Sequence, residues 1–95
     1  MLLAQVVGTV VSTEKADGLK GTKYLLVYAC NQRGEPGENH IVALDLVGAG
    51  MGEMVIVAQG SSARQTEMTY EKPIDAVIAG IVDLIEENGE MVYRK

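Results

Sequence analysis

Two short runs, residues 24–30 ("YLLVYAC") and 53–59 ("EMVIVAQ"), are apolar on both faces that a β-strand presents. In the first, Tyr24, Leu26 and Tyr28 oppose Leu25, Val27 and Ala29; in the second, Met54 and Ile56 oppose Val55 and Val57. Successive strand residues point to opposite sides of a sheet, so strands of this kind need cover above and below. In larger α/β proteins helices supply the second layer. A chain of 95 residues has room for one domain, and this one offers barely one helical segment for the purpose. Apolar surface left over in this way marks an interface. The pattern therefore predicts an oligomer.

The rest of the chain reads as further strands and turns. Residues 2–13 alternate with Leu2, Ala4, Val6, Gly8 and Val10 on one face, as a first strand requires. Residues 14–23 form a polar loop with turn residues at Asp17-Gly18 and Gly21, and residues 31–39, with Gly34, Pro36 and Gly37, are expected to form a mobile tip. Residues 40–47 and 53–59 are the third and fourth strands. In the last third, Pro73 and Asp75 suit a helix start, whereas Gly80, Ile81, Val82 and Ile85 favour a strand. The expectation is a short helix near 74–79, a strand near 80–86, an Asn88-Gly89 turn and a final strand at 90–94. The whole is one compact, mainly β unit.

Composition narrows the function classes. Lys and Arg total 8 against 13 Asp and Glu, a net charge of −5 with no basic stripe, which disfavours both nucleic acid and anionic membranes as partners. The apolar N-terminal run lacks a basic leader and is broken by Thr9, Ser12 and Thr13, so it reads as a strand rather than a signal or a span. The single cysteine, Cys30, excludes an internal disulfide and suits a reducing cytosol; lying in an apolar run, it reads as a buried thiol.

Two glycine-rich pieces flank the fourth strand. Gly48, Gly50 and Gly52 invite a phosphate-loop reading, but a dinucleotide loop puts its third glycine one position later and opens a helix, whereas a strand follows here. No Gly-Lys-Ser or Gly-Lys-Thr occurs, which removes the Walker loop. Gly60-Ser61-Ser62-Ala63-Arg64 resembles a nucleophile elbow with Arg where the last glycine belongs. A trio of Ser61 or Ser62 with His40 and Asp45 is generic spacing; hydroxyls capping a helical turn at 61–66 explain the serines without it. No catalytic, cofactor-binding or metal-binding set is expected, and the chain reads as non-enzymatic. A lysine in "TEKAD", Lys15, is similar to the modified lysine of lipoyl and biotinyl carrier domains, but only one strand precedes it. That carrier, or a small binding module of the oligonucleotide-binding type, stands as the alternative.

Taken together, "LAQVVGTVVST", "GLKGTKYLLV", "VALDLVGAGMGE", "GSSAR" and "PIDAVIAGIVD" resemble the vertex proteins of bacterial microcompartment shells, of the EutN/CcmL type. The pieces keep their order over nearly the whole chain; Met54 departs, relatives often having Trp there, and 31–39 and the tail match poorly. The resemblance implies a small five-stranded OB-like β-barrel over residues 1–86, with a turn-and-strand tail at 87–95. It also implies a homopentamer, a hexamer being the lesser alternative, that caps five-fold vertices among hexameric facet proteins in the bacterial cytoplasm. In such a ring the interface is head to tail. Gly48, Ala49, Gly50 and Gly52, with Gly60, Ser61, Ser62 and Ala63, would then be small residues near the axis or between neighbours, or else two surface turns. Arg64 would reach a neighbour's carboxylate or carbonyls, or remain solvated.

Overall fold

The structure, a computed structural model, describes residues 1–11, 23–60 and 75–95. Among these residues seven strands follow one another: β1 (Leu2–Val10), β2 (Lys23–Cys30), β3 (Pro36–Asp45), β4 (Met54–Gln59), β5 (Ala76–Ile81), β6 (Leu84–Glu87) and β7 (Glu90–Arg94). The first five close into a barrel in the order β1-β2-β3-β5-β4, with β4 pairing back onto β1. Neighbours are antiparallel except β3 and β5. This is the five-stranded, OB-like barrel expected from the sequence. Closure satisfies the strand edges that an open sheet would leave bare.

Period-2 patterning decides what lies inside. Ala4, Val6, Leu25, Val27, Ala43, Val55, Val57 and Ile78 are all buried in one cluster. Cross-strand partners share a face, so Val6 opposite Val27 and Leu25 opposite Ala43 set the inner register. The alternation expected of β1 holds only as far as Val6. A bulge between Val6 and Gly8 turns Gly8 and Val10 outward, opposite Leu26 and Tyr24. The second face is partly covered within the chain: Leu44, Ala58 and Val77 are buried outside the barrel, with Tyr24 and Leu46 packed on them.

The helix expected near 74–79 is absent from the residues described there, because 76–79 belong to β5. Pro73 and Asp75 are local signals, but Val77 and Ile78 are claimed by partners on two sides. Val77 pairs with Leu44 and Ala58, while Ile78 pairs with Asp45 and Val57 and fills the barrel. Burial on opposite faces of consecutive residues overrides a weak helical start. The strand expected at 80–86 is likewise divided: β5 ends at Ile81, Val82 donates to the Met54 carbonyl at 2.8 Å, and β6 begins at Leu84.

β6 and β7 form a separate two-stranded sheet around the expected turn, with φ of 54° at Asn88 and 81° at Gly89. β6 runs across the 86/87 boundary expected from the sequence. An isolated hairpin is marginal in water, and this one rests on the 31–35 loop. Gln32 Nε2 donates to both carboxylate oxygens of Glu87 at 2.9 and 3.2 Å, and a Cβ on Gly34 would lie 3.4 Å from the Tyr93 ring.

The mobile tip expected at 31–39 is a short, hydrogen-bonded turn, since residues 36–39 already belong to β3. Asn31 closes it, its Oδ1 accepting from Arg33 and Glu35 amides at 2.9 and 3.0 Å and its Nδ2 donating to Glu35. Gly34 has φ of 82° and lies against Tyr93 and Met54, which is itself buried. Gly34→Val is therefore expected to lower stability by about 1–3 kcal/mol through the positive φ that a β-branched residue resists. Glu38→Ala, on exposed strand, should leave the thermal midpoint within a degree or two of wild type. Thermal unfolding of the two variants checks both.

Candidate subunit-contact site

The first glycine piece is a built loop rather than a slack connection. Leaving β3, Asp45 turns its carboxylate onto the backbone that follows: Oδ1 accepts from the Val47 and Gly48 amides at 3.1 and 3.0 Å, and Oδ2 from Ala49 at 3.1 Å. Asp side chains hold turns in this way because they accept bonds from amides a few residues on. Glu53 works from the other end, its Oε1 accepting from the Gly50 amide at 2.6 Å. The loop is also tied to β1: the Gly52 amide donates to the Val6 carbonyl at 2.9 Å and Val6 returns a bond to the Glu53 carbonyl at 3.0 Å. Gln5 Nε2 adds a bond to the Gly52 carbonyl.

This geometry explains why the sequence looks like a phosphate cradle. Consecutive amides at 47–50 do converge on anions, as in a backbone nest. The anions are the chain's own carboxylates.

Each small residue has a different cause. Gly48 and Gly52 have φ of 74° and 81°, a conformation other residues rarely adopt, and a Cβ at either would meet nothing within 4 Å. Gly50 does not have positive φ; a Cβ there would meet only the Glu53 carboxyl, its Oε1 at 3.3 Å. Ala49 is buried in the barrel core, so its size is set by its own chain. Around this rigid loop, Val47 and Met51 stay exposed, Met51 at 68%. These two, with Glu53, are residues the sequence reading passed over, and Asp45 entered it only as a member of a generic trio. The signal was present in Asp45, which stands three residues before a glycine, but it reads as an Asx turn only once the loop is known not to open a helix.

Of the second piece, Gly60 alone is described; Ser61, Ser62, Ala63 and Arg64 lie outside the described residues, as do Lys15 and the helical turn expected at 61–66. The Gly60 amide donates to the Asp75 carbonyl at 2.8 Å. Gly60 and the first piece therefore sit at opposite ends of β4, separated by six strand residues, roughly 20 Å.

The remaining chemical groups are occupied elsewhere. His40 packs against Tyr28 with ring centroids 4.1 Å apart and planes tilted by 44°, and the Asp45 carboxylate is committed to the loop, so the two do not form a relay. Cys30 is half-buried, and burial pushes its thiol up from the ordinary value, away from thiolate reactivity. Among the described residues no three His, Cys, Asp or Glu side chains converge as metal ligands would.

Lys95 pairs with Glu53 Oε2. The lysine bond and then the Gly50 amide hold the Glu53 carboxyl below its ordinary range, and Glu53 in turn raises Lys95. The lowered Glu53 value adds stability above the ordinary carboxylate range that is lost as pH falls through it. The raised Lys95 value adds stability that is lost as pH climbs through it. The difference in thermal midpoint between wild type and Glu53→Gln should therefore be present at neutral pH and vanish in acid. Asp45→Ala, which strips three amides of their acceptor, should cost about 1–3 kcal/mol in the same assay, and Asp45→Asn, which keeps one oxygen, less.

Comparison with known proteins supplies what one chain cannot. Residues 1–83 match the family described as "Ethanolamine utilisation protein EutN/carboxysome". The carboxysome shell vertex protein CcmL of Synechocystis sp. is 45% identical over 95 residues, covering all of this chain and 95% of that protein. The solved structure of a carboxysome subunit, CcmL, superposes with a TM-score of 0.93 at 45% identity over 100% of this chain and 99% of that one. The GrpN pentameric microcompartment shell protein from Rhodospirillum rubrum superposes at 0.83, with 48% identity over 92% of this chain and 99% of that one. A match running from residue 1 to residue 83, and a barrel that superposes along the full chain, place this protein as a member of the EutN/carboxysome family.

Proposed function

We propose that this chain is a structural shell protein of a bacterial microcompartment, assembling as a homopentamer that closes the five-fold vertices of the shell within the cytoplasm. The observation that carries the reading is the full-length likeness to a CcmL shell vertex protein, joined to a close likeness to a pentameric shell protein. Hexameric facet proteins are the partners such a vertex would meet. The role is structural rather than catalytic: the two carboxylates of the glycine loop hold backbone amides instead of facing a substrate.

The chain's geometry supports a head-to-tail ring. A cyclic assembly joins one patch on each subunit to a different patch on the next. The 48–52 loop and Gly60 lie at opposite ends of β4, so the two ends of that strand can face different neighbours. Gly48, Gly50 and Gly52, beside exposed Val47 and Met51, form the first patch, with Ala49 supporting it from inside the barrel. Gly60, Ser61, Ser62, Ala63 and Arg64 belong to the second. The division into a vertex domain, residues 1–86, and a tail, residues 87–95, is part of the same proposal. A lipoyl-type carrier modified at Lys15 is built from two matching halves, which a barrel with one parallel pair, β3 with β5, does not present.

Native mass spectrometry tests the assembly directly. A species at about five times the 10.2 kDa chain mass is expected, and a clean monomer at micromolar concentration would reject the reading. Gly50→Val tests the patch. Because Gly50 has ordinary φ and its added Cβ meets the carboxylate end of one side chain, Glu53, and no backbone, the fold should survive, as judged by β-type circular dichroism. The ring should be lost, because the added bulk recurs in every subunit. An intact ring in this variant would make the loop a turn and nothing more.

A further inference from the structure

We infer that Lys95 is a positioning residue: it fastens the glycine loop at Gly50 through Glu53, so that the β6–β7 hairpin helps set the surface offered to the next subunit. The role of that surface rests on the vertex reading; the fastening does not.

The Glu53 carboxylate has two oxygens, and both are taken. Oε1 holds the Gly50 amide at 2.6 Å, and Oε2 holds Lys95 Nζ. Holding one oxygen restrains the rotation of the carboxylate, so the ammonium helps keep the other on the Gly50 amide. Lys95 is itself placed by backbone: its amide donates to the Asp83 carbonyl at 2.8 Å, across the base of the hairpin. Beside Asp83, the Val82 amide donates to the Met54 carbonyl, and Met54 adjoins Glu53. The hairpin base, the start of β4 and the glycine loop thus form one hydrogen-bonded circuit. Among the described residues the hairpin pairs with no barrel strand, and this circuit and its seat on the 31–35 loop link it to the barrel.

The size of the effect follows from exposure. The Lys95 side chain is 49% exposed and that of Glu53 20%, so water and salt screen the pair. Asp83 and Tyr93 are the other charged or ionisable groups acting on the lysine. A screened pair of this kind is worth a factor of about 2–5. In a ring the same small loss recurs at every contact and multiplies.

The test reads the loop and the ring separately. In Lys95→Met, solvent exchange of the Gly50 amide, followed by NMR, should quicken about 2–5-fold. The ring should then dissociate at a higher protein concentration in native mass spectra. Lys95→Arg should keep both properties close to wild type, since a guanidinium can still bond the carboxylate. Glu53→Gln with Lys95→Met should be no worse than Glu53→Gln alone. Unchanged Gly50 exchange in Lys95→Met, or strictly additive effects in the pair, would overturn the inference. If wild type forms no ring, the exchange measurements still decide for or against the fastening, and only the vertex reading falls.

Discussion

Closing five short strands into a barrel is the constraint on which the other features depend. β1 must bond to β2 on one edge and β4 on the other, and it manages this by serving β4 with residues 2–5 and β2 with residues 4–10. The bulge at Val7 lets one strand satisfy both, adding the local bend that a tight barrel needs. A second bulge between Ile56 and Val57 does the same where β4 meets β5. The interior is correspondingly narrow. Alanines at positions 4 and 43 share it with valines, leucine and isoleucine, which fits a chain whose apolar content includes no Phe or Trp.

A barrel has ends as well as walls, and the glycine loop answers one of them. Ala49 enters the core there, and the backbone on either side is held by Asp45 and Glu53. Using carboxylates as internal acceptors leaves few loose amides along 47–53 and makes the loop a defined surface instead of a flexible link. Positive φ at Gly48 and Gly52 is the conformational requirement of that path. The same arrangement accounts for a sequence that imitates a nucleotide loop without having one.

Outside the barrel, apolar area is divided between cover from the chain itself and exposure. Leu44, Ala58 and Val77 are buried on the outer face, and Met54 lies beneath the 31–35 loop. Met1, Val11, Val42, Val47, Met51, Leu84 and Met91 remain open among the described residues. The apolar surface left for an oligomer thus lies on loops and the hairpin as well as on the sheet. This fits an assembly in which loops, as well as sheet faces, make the contacts.

What could be read from the sequence was whatever is decided within a few residues or by strict alternation. The first, second and fourth strands follow from their apolar patterning, the third only from residue 40 to Asp45, and the β6–β7 turn from Asn88-Gly89, because positive φ at both turn positions is a local property of that pair. The family resemblance was legible too, since its pieces keep their order along the chain. What only the tertiary structure decided depends on partners far away in sequence. Residues 76–79 are strand because β3 and β4 lie on either side of them. The 31–35 loop is ordered because Tyr93 and Glu87 return to it from more than fifty positions away. Asp45 looked like a catalytic candidate and proved to be a backbone acceptor, since an acid's role is set by which amides its oxygens reach. That is a matter of folded distance, which residue order does not contain.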